Sequence, residues 1–144
     1  MKVEINYPEV PHNYKMCLNR KCSKADTCLR QLVEQSIPED IESWNIVSPK
    51  RLATLKGTCP YYRSAAKVRY GKGFIKILEN LPHKQMQAAT AHLTTYFGRR
   101  TYYRVRKGER LLSPSEQKAT LNIIKSYGSL PHQEFDSYVD DYDW

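Results

Sequence analysis

Three cysteines lie close together near the start of the chain, in "CLNRKCSKADTC", and a fourth follows in "GTCP". They are Cys17, Cys22, Cys28 and Cys59, with the spacing C-x4-C-x5-C-x30-C-P. Four thiolates complete a tetrahedral zinc site and equally hold an iron–sulfur cluster. The spacing predicts a metal site with all four as ligands, for zinc in preference to an iron–sulfur cluster. Because these gaps are looser than those of zinc ribbons, reduced structural cysteines and a redox switch remain alternatives.

A second group of residues suited to chemistry lies in the basic, tyrosine-rich stretch "YFGRRTYYRVRKGER". Arginine can grip phosphate or the edge of guanine, and tyrosine can bond to phosphate or stack on an exposed base. We predict that nucleic acid is bound by Arg99, Arg100, Thr101, Tyr103, Arg104, Arg106, Lys107 and Arg110. The structural alternative is a short helix that packs Tyr102, Tyr103 and Val105 into a core and leaves the arginines as its solvated face or paired to the acidic tail.

Charge is distributed unevenly along the chain. The formal net charge is +8, yet the stretch "EFDSYVDDYDW" at 134–144 holds five acids and no lysine or arginine. The other residues carry 23 basic and 10 acidic side chains, a net charge of +13. A surface this basic attracts polyanions, of which nucleic acid is the first candidate. We therefore expect a nucleic acid, in particular DNA, or an acidic protein as the partner.

The length of 144 residues favours a single domain. Within it we distinguish a cysteine-rich metal-binding part (1–60), a helical basic part (61–130) and an acidic C-terminal tail (131–144). The expected fold is mainly α, with an irregular four-cysteine N-terminal third and a helical bundle that contains a candidate helix-turn-helix. No signal peptide or membrane span is visible, so a cytoplasmic protein that does not enter membranes is expected.

Apolar periodicity predicts the elements of the two ends of the chain. We expect a helix over 26–35, a short strand at about 44–47 and a further helix over 62–79. The acidic tail has aromatic residues spaced three and four apart, which predicts a last helix docked by its aromatics. These aromatics are Phe135, Tyr138 and Tyr142.

Capping signals predict the helices of the second half. Pro82 suits a first helical position, and Gly98 offers a C-terminal stop. The sequence "SPSE" at 113–116 has the form of a capping box, in which Ser113 is the N-cap and the Glu116 side chain reaches back to it. The helix that it starts should run to Tyr127.

The stretches "CSKADTCLR" and "GTCPYYRS" resemble an uncharacterised bacterial domain-of-unknown-function family of about this length. The resemblance also takes in "VPHNY", "YFGRRTYYR", "LSPSEQ" and the C-terminal "YDW", so it covers nearly the whole chain. It implies that the chain is one complete member of that family, and it supplies no activity.

A second, local resemblance concerns the basic segment. The run from Gly98 to Arg104 is similar to the recognition helices of transposase and resolvase helix-turn-helix units, which often have a glycine turn followed by "sTYYR". This resemblance implies that Gly98 is the turn, that Thr101 starts the reading face, and that Arg100, Tyr103 and Arg104 contact DNA. Only two residues separate Gly98 from Thr101, where four are common in those units.

No catalytic triad, phosphate-binding glycine loop or paired-carboxylate pocket is visible, so we expect no enzyme activity. The sequence favours a metal-stabilised cytoplasmic protein that binds nucleic acid, in particular double-stranded DNA, as a regulator. Two alternatives stay open. One is a protein-interaction or adaptor module with a structural metal site, and the other is an iron–sulfur or redox sensor.

Overall fold

The computed structural model describes residues 3–144, which fold as two compact units. The first unit consists of the chain up to Lys67 together with Tyr142–Trp144, and the second consists of Val68–Asp141. The described residues contain six α-helices and one two-stranded sheet, and about 39% of the chain is helical. The mainly α fold class is therefore confirmed, with a minor sheet in addition.

The first unit is largely irregular and contains two short helices, α1 (Leu29–Gln35) and α2 (Pro49–Ala53), besides a 3-10 turn at Tyr7–Glu9. The helix predicted over 26–35 begins only at Leu29, because the residues before it form turns. Ser48 caps α2, since its side chain accepts a hydrogen bond from the N–H of Arg51. The strand predicted at about 44–47 is reduced to a single parallel bridge between Met16 and Ile46.

The core of the first unit is small and is completed by the last residues of the chain. Leu29 and Val33, one helical turn apart on α1, are fully buried. They cluster with the buried Met16 and Tyr142. Trp144 packs against this cluster. The two ends of the described chain therefore contribute to one core.

The second unit contains four helices and nearly all of the two strands. Its elements in chain order are β1 (Lys67–Lys72), α3 (Ile75–Glu79), α4 (His83–Phe97), α5 (Arg99–Lys107), α6 (Pro114–Lys125) and β2 (Ser137–Tyr142). Helix α4 packs against both α5 and α6. The core between them is apolar and includes Phe74, Leu93, Leu112 and Ile124, each no more than 1% exposed.

The capping signals predicted at Gly98 and Ser113 are confirmed, whereas Pro82 is the N-cap residue of α4 and not its first helical position. Helix α4 ends at Gly98, whose φ of 83° lies in the region that favours glycine. Ser113 accepts a hydrogen bond from the N–H of Glu116, and the Glu116 carboxylate accepts one from the N–H of Ser113, which forms the predicted capping box. Helix α6 ends slightly earlier than predicted, at Lys125 rather than near Tyr127.

The single helix predicted over 62–79 is wrong. Residues 67–72 form β1, in which exposed and less exposed side chains alternate with the period of a strand. Gly71 fits this strand because a Cβ there would lie 3.1 Å from both Gln117 and Phe135, so α6 packs directly on its backbone. Only the end of the predicted segment is helical, as the short α3.

The helix predicted in the acidic tail is also wrong, because residues 137–142 form β2 and pair with β1. The N–H of Asp136 donates to the carbonyl of Gly73 at 2.9 Å, while Tyr138 lies over the guanidinium of Arg69. The two strands therefore run antiparallel. The basic side chains of β1 and the acidic side chains of β2 thus lie on neighbouring strands.

We expect Gly73→Ala to destabilise the protein by about 2–3 kcal/mol, in two parts. The φ of Gly73 is +79°, which costs an L-residue about 1–2 kcal/mol. A Cβ would also lie 2.8 Å from the Asp136 carboxylate, which caps α3 by accepting from the N–H groups of Ile75 (2.9 Å) and Lys76 (3.1 Å). Losing that cap costs about 1 kcal/mol more.

Gly57 provides the control, because it has the same φ of +79° and nothing within 4 Å of the position of a Cβ. Urea denaturation should show a smaller loss for Gly57→Ala than for Gly73→Ala. Equal losses for the two variants would contradict the role of the Asp136 cap.

Candidate functional site

The four cysteines lie in the first unit, and all are free thiols. Cys17 and Cys28 are buried, whereas Cys22 and Cys59 are half-buried. Cys28 occupies the N-cap position of α1, and its N–H donates to the carbonyl of Lys24 at 3.0 Å. The cysteines are thus carried by a turn-rich loop, a helix start and the segment after α2.

Gln31 of α1 organises the loop that carries the first two cysteines. Its side chain is only 1% exposed. Its amide N–H donates to the carbonyl of Asn19 and to the sulfur of Cys17 at 3.7 Å, and its carbonyl accepts from Arg20 at 2.7 Å. Arg20 also forms an ion pair with Glu34. A buried polar side chain with these partners fixes the loop.

No three histidine, cysteine, aspartate or glutamate side chains within residues 3–144 are grouped so that they could hold one metal ion. The four cysteines thus do not form a preformed cage, and the Cys17 sulfur has Gln31 as its hydrogen-bond partner. The zinc or iron–sulfur site stays a prediction from the sequence.

We expect Cys22 and Cys59 to react with a thiol reagent before Cys17 and Cys28, because only the first pair is partly exposed. Release of a chromogenic thiol, followed with and without a chelator, measures this order. The same order and rates in both conditions are expected from this arrangement. Protection of all four thiols until the chelator is added would instead support the predicted metal site.

Helix α5 is fixed to the core of the second unit by one face. Tyr102 and Val105 are buried, and the Tyr102 ring lies 6.2 Å from that of Phe74, between centroids. The Tyr102 hydroxyl donates to the side-chain oxygen of Thr90 on α4 at 3.4 Å. Of the residues in the structural alternative, Tyr102 and Val105 are therefore core residues, while Tyr103 is 45% exposed.

The opposite face of α5 consists of Arg100, Tyr103, Arg104 and Lys107, and we call it the α5 outer face. These residues are all exposed and follow the i, i+3, i+4, i+7 spacing of one helix side. Arg100, Arg104 and Lys107 form no ion pair within residues 3–144. The helix thus presents three unneutralised cations around one exposed phenol ring.

The other predicted nucleic-acid residues lie at the edges of this face or beyond it. Arg99 is exposed at the first position of α5, whereas Thr101 and Arg106 are half-buried. Arg110 lies after the helix, and its guanidinium forms an ion pair with Glu116 at 3.1 Å. The structure therefore brings together five of the eight predicted residues as exposed side chains and engages Arg110 in the fold.

The basic side chains of β1 differ from those of the α5 outer face. The guanidinium of Arg69 lies 3.9 Å from the ring centroid of Tyr138 in the acidic tail. Within the first unit, the ammonium of Lys67 lies 5.4 Å from the ring centroid of Tyr142. Because these cations already contact tail aromatics, the α5 outer face is the better candidate for an external anion.

The carboxyl of Glu116 has a lowered pKa. Burial alone would raise the pKa, but the hydrogen bond from the backbone of Ser113 and the guanidinium of Arg110 outweigh it. Ionised Glu116 therefore stabilises the fold above about pH 4.5, its ordinary pKa, and this contribution is lost as the pH falls through the folded value.

We expect Glu116→Gln to lower the free energy of unfolding by about 0.5–1 kcal/mol at neutral pH. The amide can still complete the capping box, so the variant isolates the loss of charge. Urea unfolding between about pH 3 and 7 should show the wild type converging on the variant as the pH falls. A constant difference over that range would contradict the charge contribution.

A family model, described as a family of unknown function, matches residues 1–144. The chain belongs to this family, DUF6078. No curated protein and no solved structure matches the DUF6078 chain. None of its helices among the described residues combines the length and the apolar character needed to cross a membrane.

Two residues that organise the DUF6078 chain were missed by sequence reasoning. One is Gln31, which is buried on α1. The signal that could have revealed it is its position as a polar residue between the apolar Leu29 and Val33. The other is Arg30, which donates to the carbonyls of Lys15 (2.6 Å) and Tyr61 (2.7 Å). Arg30 appears in the sequence only as one more basic residue, because its partners are distant in the chain.

Proposed function

We propose that the protein binds double-stranded DNA through the α5 outer face, with α5 as the helix that enters the major groove. The observation that carries the proposal is the exposed set Arg100, Tyr103, Arg104 and Lys107, with no ion pair to the three cations within the described chain. Arginine and lysine on one helix face can bond to phosphates and to the guanine edge, as major-groove helices do.

The start of α5 supports an anion at the same place. Gly98 provides no side-chain cap, and the first turn contains Arg99 and Arg100 but no acid. The positive end of the helix dipole and the two arginines repel each other, so a phosphate at this helix start would stabilise both. The phosphate would also accept hydrogen bonds from the first backbone N–H groups of α5. The tight connection to α4 at Gly98 keeps this helix start exposed.

As a helix-turn-helix, α4 and α5 would be an unusual pair. They are joined by the single residue Gly98, whereas the standard unit has a turn of about 3–4 residues. The side of α5 that packs on α4 carries Tyr102, which leaves the α5 outer face directed away from its helix partner. A recognition helix needs this division into a buried side and a reading side.

Titration of the protein with duplex DNA at several salt concentrations tests the proposal. Binding should weaken steeply with salt, because each neutralised phosphate releases counterions, with a slope of log K against log salt of about −0.9 per contact. A charge-matched basic protein with no DNA site is the comparison. Binding no tighter than that of the comparison protein would overturn the proposal. An acidic protein that still co-purifies with the chain after nuclease treatment would also overturn it, in favour of an adaptor.

A further inference from the structure

The first unit contains an open cleft that the proposed DNA-binding face does not involve. Its volume is about 540 Å³, and it lies between residues 7–16 and residues 41–45. Small-molecule sites commonly have volumes of about 300–1,000 Å³. The backbone holds the two walls together, since the N–H of Met16 donates to the carbonyl of Asn45 at 2.9 Å and the N–H of Val47 donates to that of Met16 at 2.8 Å.

The cleft is lined without charged side chains. None of the described residues at its surface is an aspartate, glutamate, lysine or arginine, although charged residues make up 26% of the chain. An ammonium group would therefore find no ion-pair partner among these residues, and a phosphate or carboxylate would find only the imidazole of His12, so burying such a group is costly. The cleft fits an uncharged ligand.

The lining combines aromatic rings with amide groups. Trp44 is 41% exposed there, so one side of a large indole is free to stack, and Tyr7 also lines the cleft. Asn13 and Asn45 provide side-chain amides, each with a donor and an acceptor. The amide of Asn45 has only a long contact within the described chain, at 3.5 Å from the carbonyl of Asn13.

The backbone at the cleft forms a turn. Asn13 has a φ of 60°, the one positive φ of a non-glycine residue among residues 3–144, in the left-handed region that asparagine adopts more readily than most L-residues. Tyr14 also lines the cleft, but its hydroxyl is buried away from solvent without a hydrogen-bond partner within the same residues, so the hydroxyl does not face the open cleft. Burial raises the pKa of Tyr14, so this hydroxyl stays neutral at physiological pH.

We propose that this cleft binds an uncharged nucleobase, stacked on Trp44 and hydrogen-bonded along its edge by the amides of Asn13 and Asn45. A base offers a flat π-face and an edge with donors and acceptors side by side, which an amide matches. The base can belong to a free nucleoside or to an unpaired nucleotide of a strand, whose phosphates would stay outside the cleft.

The fluorescence of Trp44 tests the proposal directly. The chain has two tryptophans, so Trp144→Phe leaves Trp44 as the single indole. Titration with adenosine, guanosine, cytidine and uridine, and with short single-stranded oligonucleotides, should give saturable quenching by at least one base. Saturation by a nucleoside assigns the free ligand, and saturation by oligonucleotides alone assigns the strand.

Calorimetry with the full chain completes the test. Trp44→Ala should weaken binding about 5- to 150-fold, the range measured for loss of one stacked base, while Trp44→Phe should weaken it less. Trp44 is largely exposed, and circular dichroism confirms that each variant is folded. The proposal is overturned by three results: no saturable binding of any base, equal binding by wild type and Trp44→Ala, or saturable binding of glucose or a proline-rich peptide in place of the bases.

Discussion

Replacing Arg100, Arg104 and Lys107 together with alanine is expected to weaken duplex DNA binding about 100-fold at low salt. Each exposed contact with a phosphate contributes about 1 kcal/mol, so the loss of three such contacts lowers the affinity by about two powers of ten. The slope of log K against log salt should also become shallower, by about 2–3, because three fewer counterions are released. Fluorescence anisotropy over a range of salt concentrations measures both quantities.

The matched control removes the same charge from elsewhere on the second unit. Lys84 on α4 and Lys118 and Lys125 on α6 are exposed and form no ion pair within the described chain. Their triple alanine variant has the same net charge as the α5 variant. If the two variants lose equal affinity, binding follows total charge, and the α5 outer face is not the interface.

Tyr102→Ala is expected to destabilise the protein by about 3–5 kcal/mol, the largest effect on stability among these predictions. The ring is 1% exposed and fills the core beside Phe74, so its removal leaves a cavity that the surrounding helices cannot close. Tyr102→Phe keeps the ring and loses only the hydrogen bond to Thr90, which costs about 1 kcal/mol. Urea denaturation measures the free energy of unfolding of the wild type, Tyr102→Ala and Tyr102→Phe.

The neighbouring tyrosine is the matched control for this substitution. Tyr103 is 45% exposed, so Tyr103→Ala should change the free energy of unfolding by less than about 0.5 kcal/mol. The same variant should weaken DNA binding, because Tyr103 belongs to the α5 outer face. A similar loss of stability in Tyr102→Ala and Tyr103→Ala would contradict the division of α5 into a buried and an outer side.

The elements that could be predicted from the sequence are those specified by local signals. The capping box at Ser113 and Glu116 needs residues only three apart, and Gly98 ends α4 through its own backbone freedom. Both interactions form within one helical turn. Neighbouring residues therefore contain enough information to place them.

The two strands could not be predicted because the spacing of their apolar residues fits both the period of a helix and the period of a strand. Tyr138 and Tyr142 are four apart, which places them on one face of a helix and equally on one face of a strand. In β1, the apolar Val68 alternates with charged residues, but it also fits a helical spacing with Ala65. These segments form strands because they pair with each other, although they lie about 65 residues apart in the chain. No local sequence pattern contains that information.

For the candidate site, the sequence identified the basic helix but could not orient it. Both Tyr102 and Tyr103 suit a core, and only packing against Phe74 and Thr90 selects Tyr102. The same packing exposes Arg100, Arg104 and Lys107. The cysteine spacing predicts shared ligands, which stays a prediction, and the loop that carries Cys17 is also fixed by Gln31, whose partners lie outside any recognised motif.

The return of Tyr142 and Trp144 to the first core has a consequence for biosynthesis. As the ribosome makes the chain, the N-terminal segment emerges early but lacks two of the aromatic residues around which it packs. Units that are continuous in sequence can fold during synthesis as soon as they emerge, whereas this one must wait until residues 142–144 have been made. During that interval its partly assembled apolar surface is accessible to chaperones.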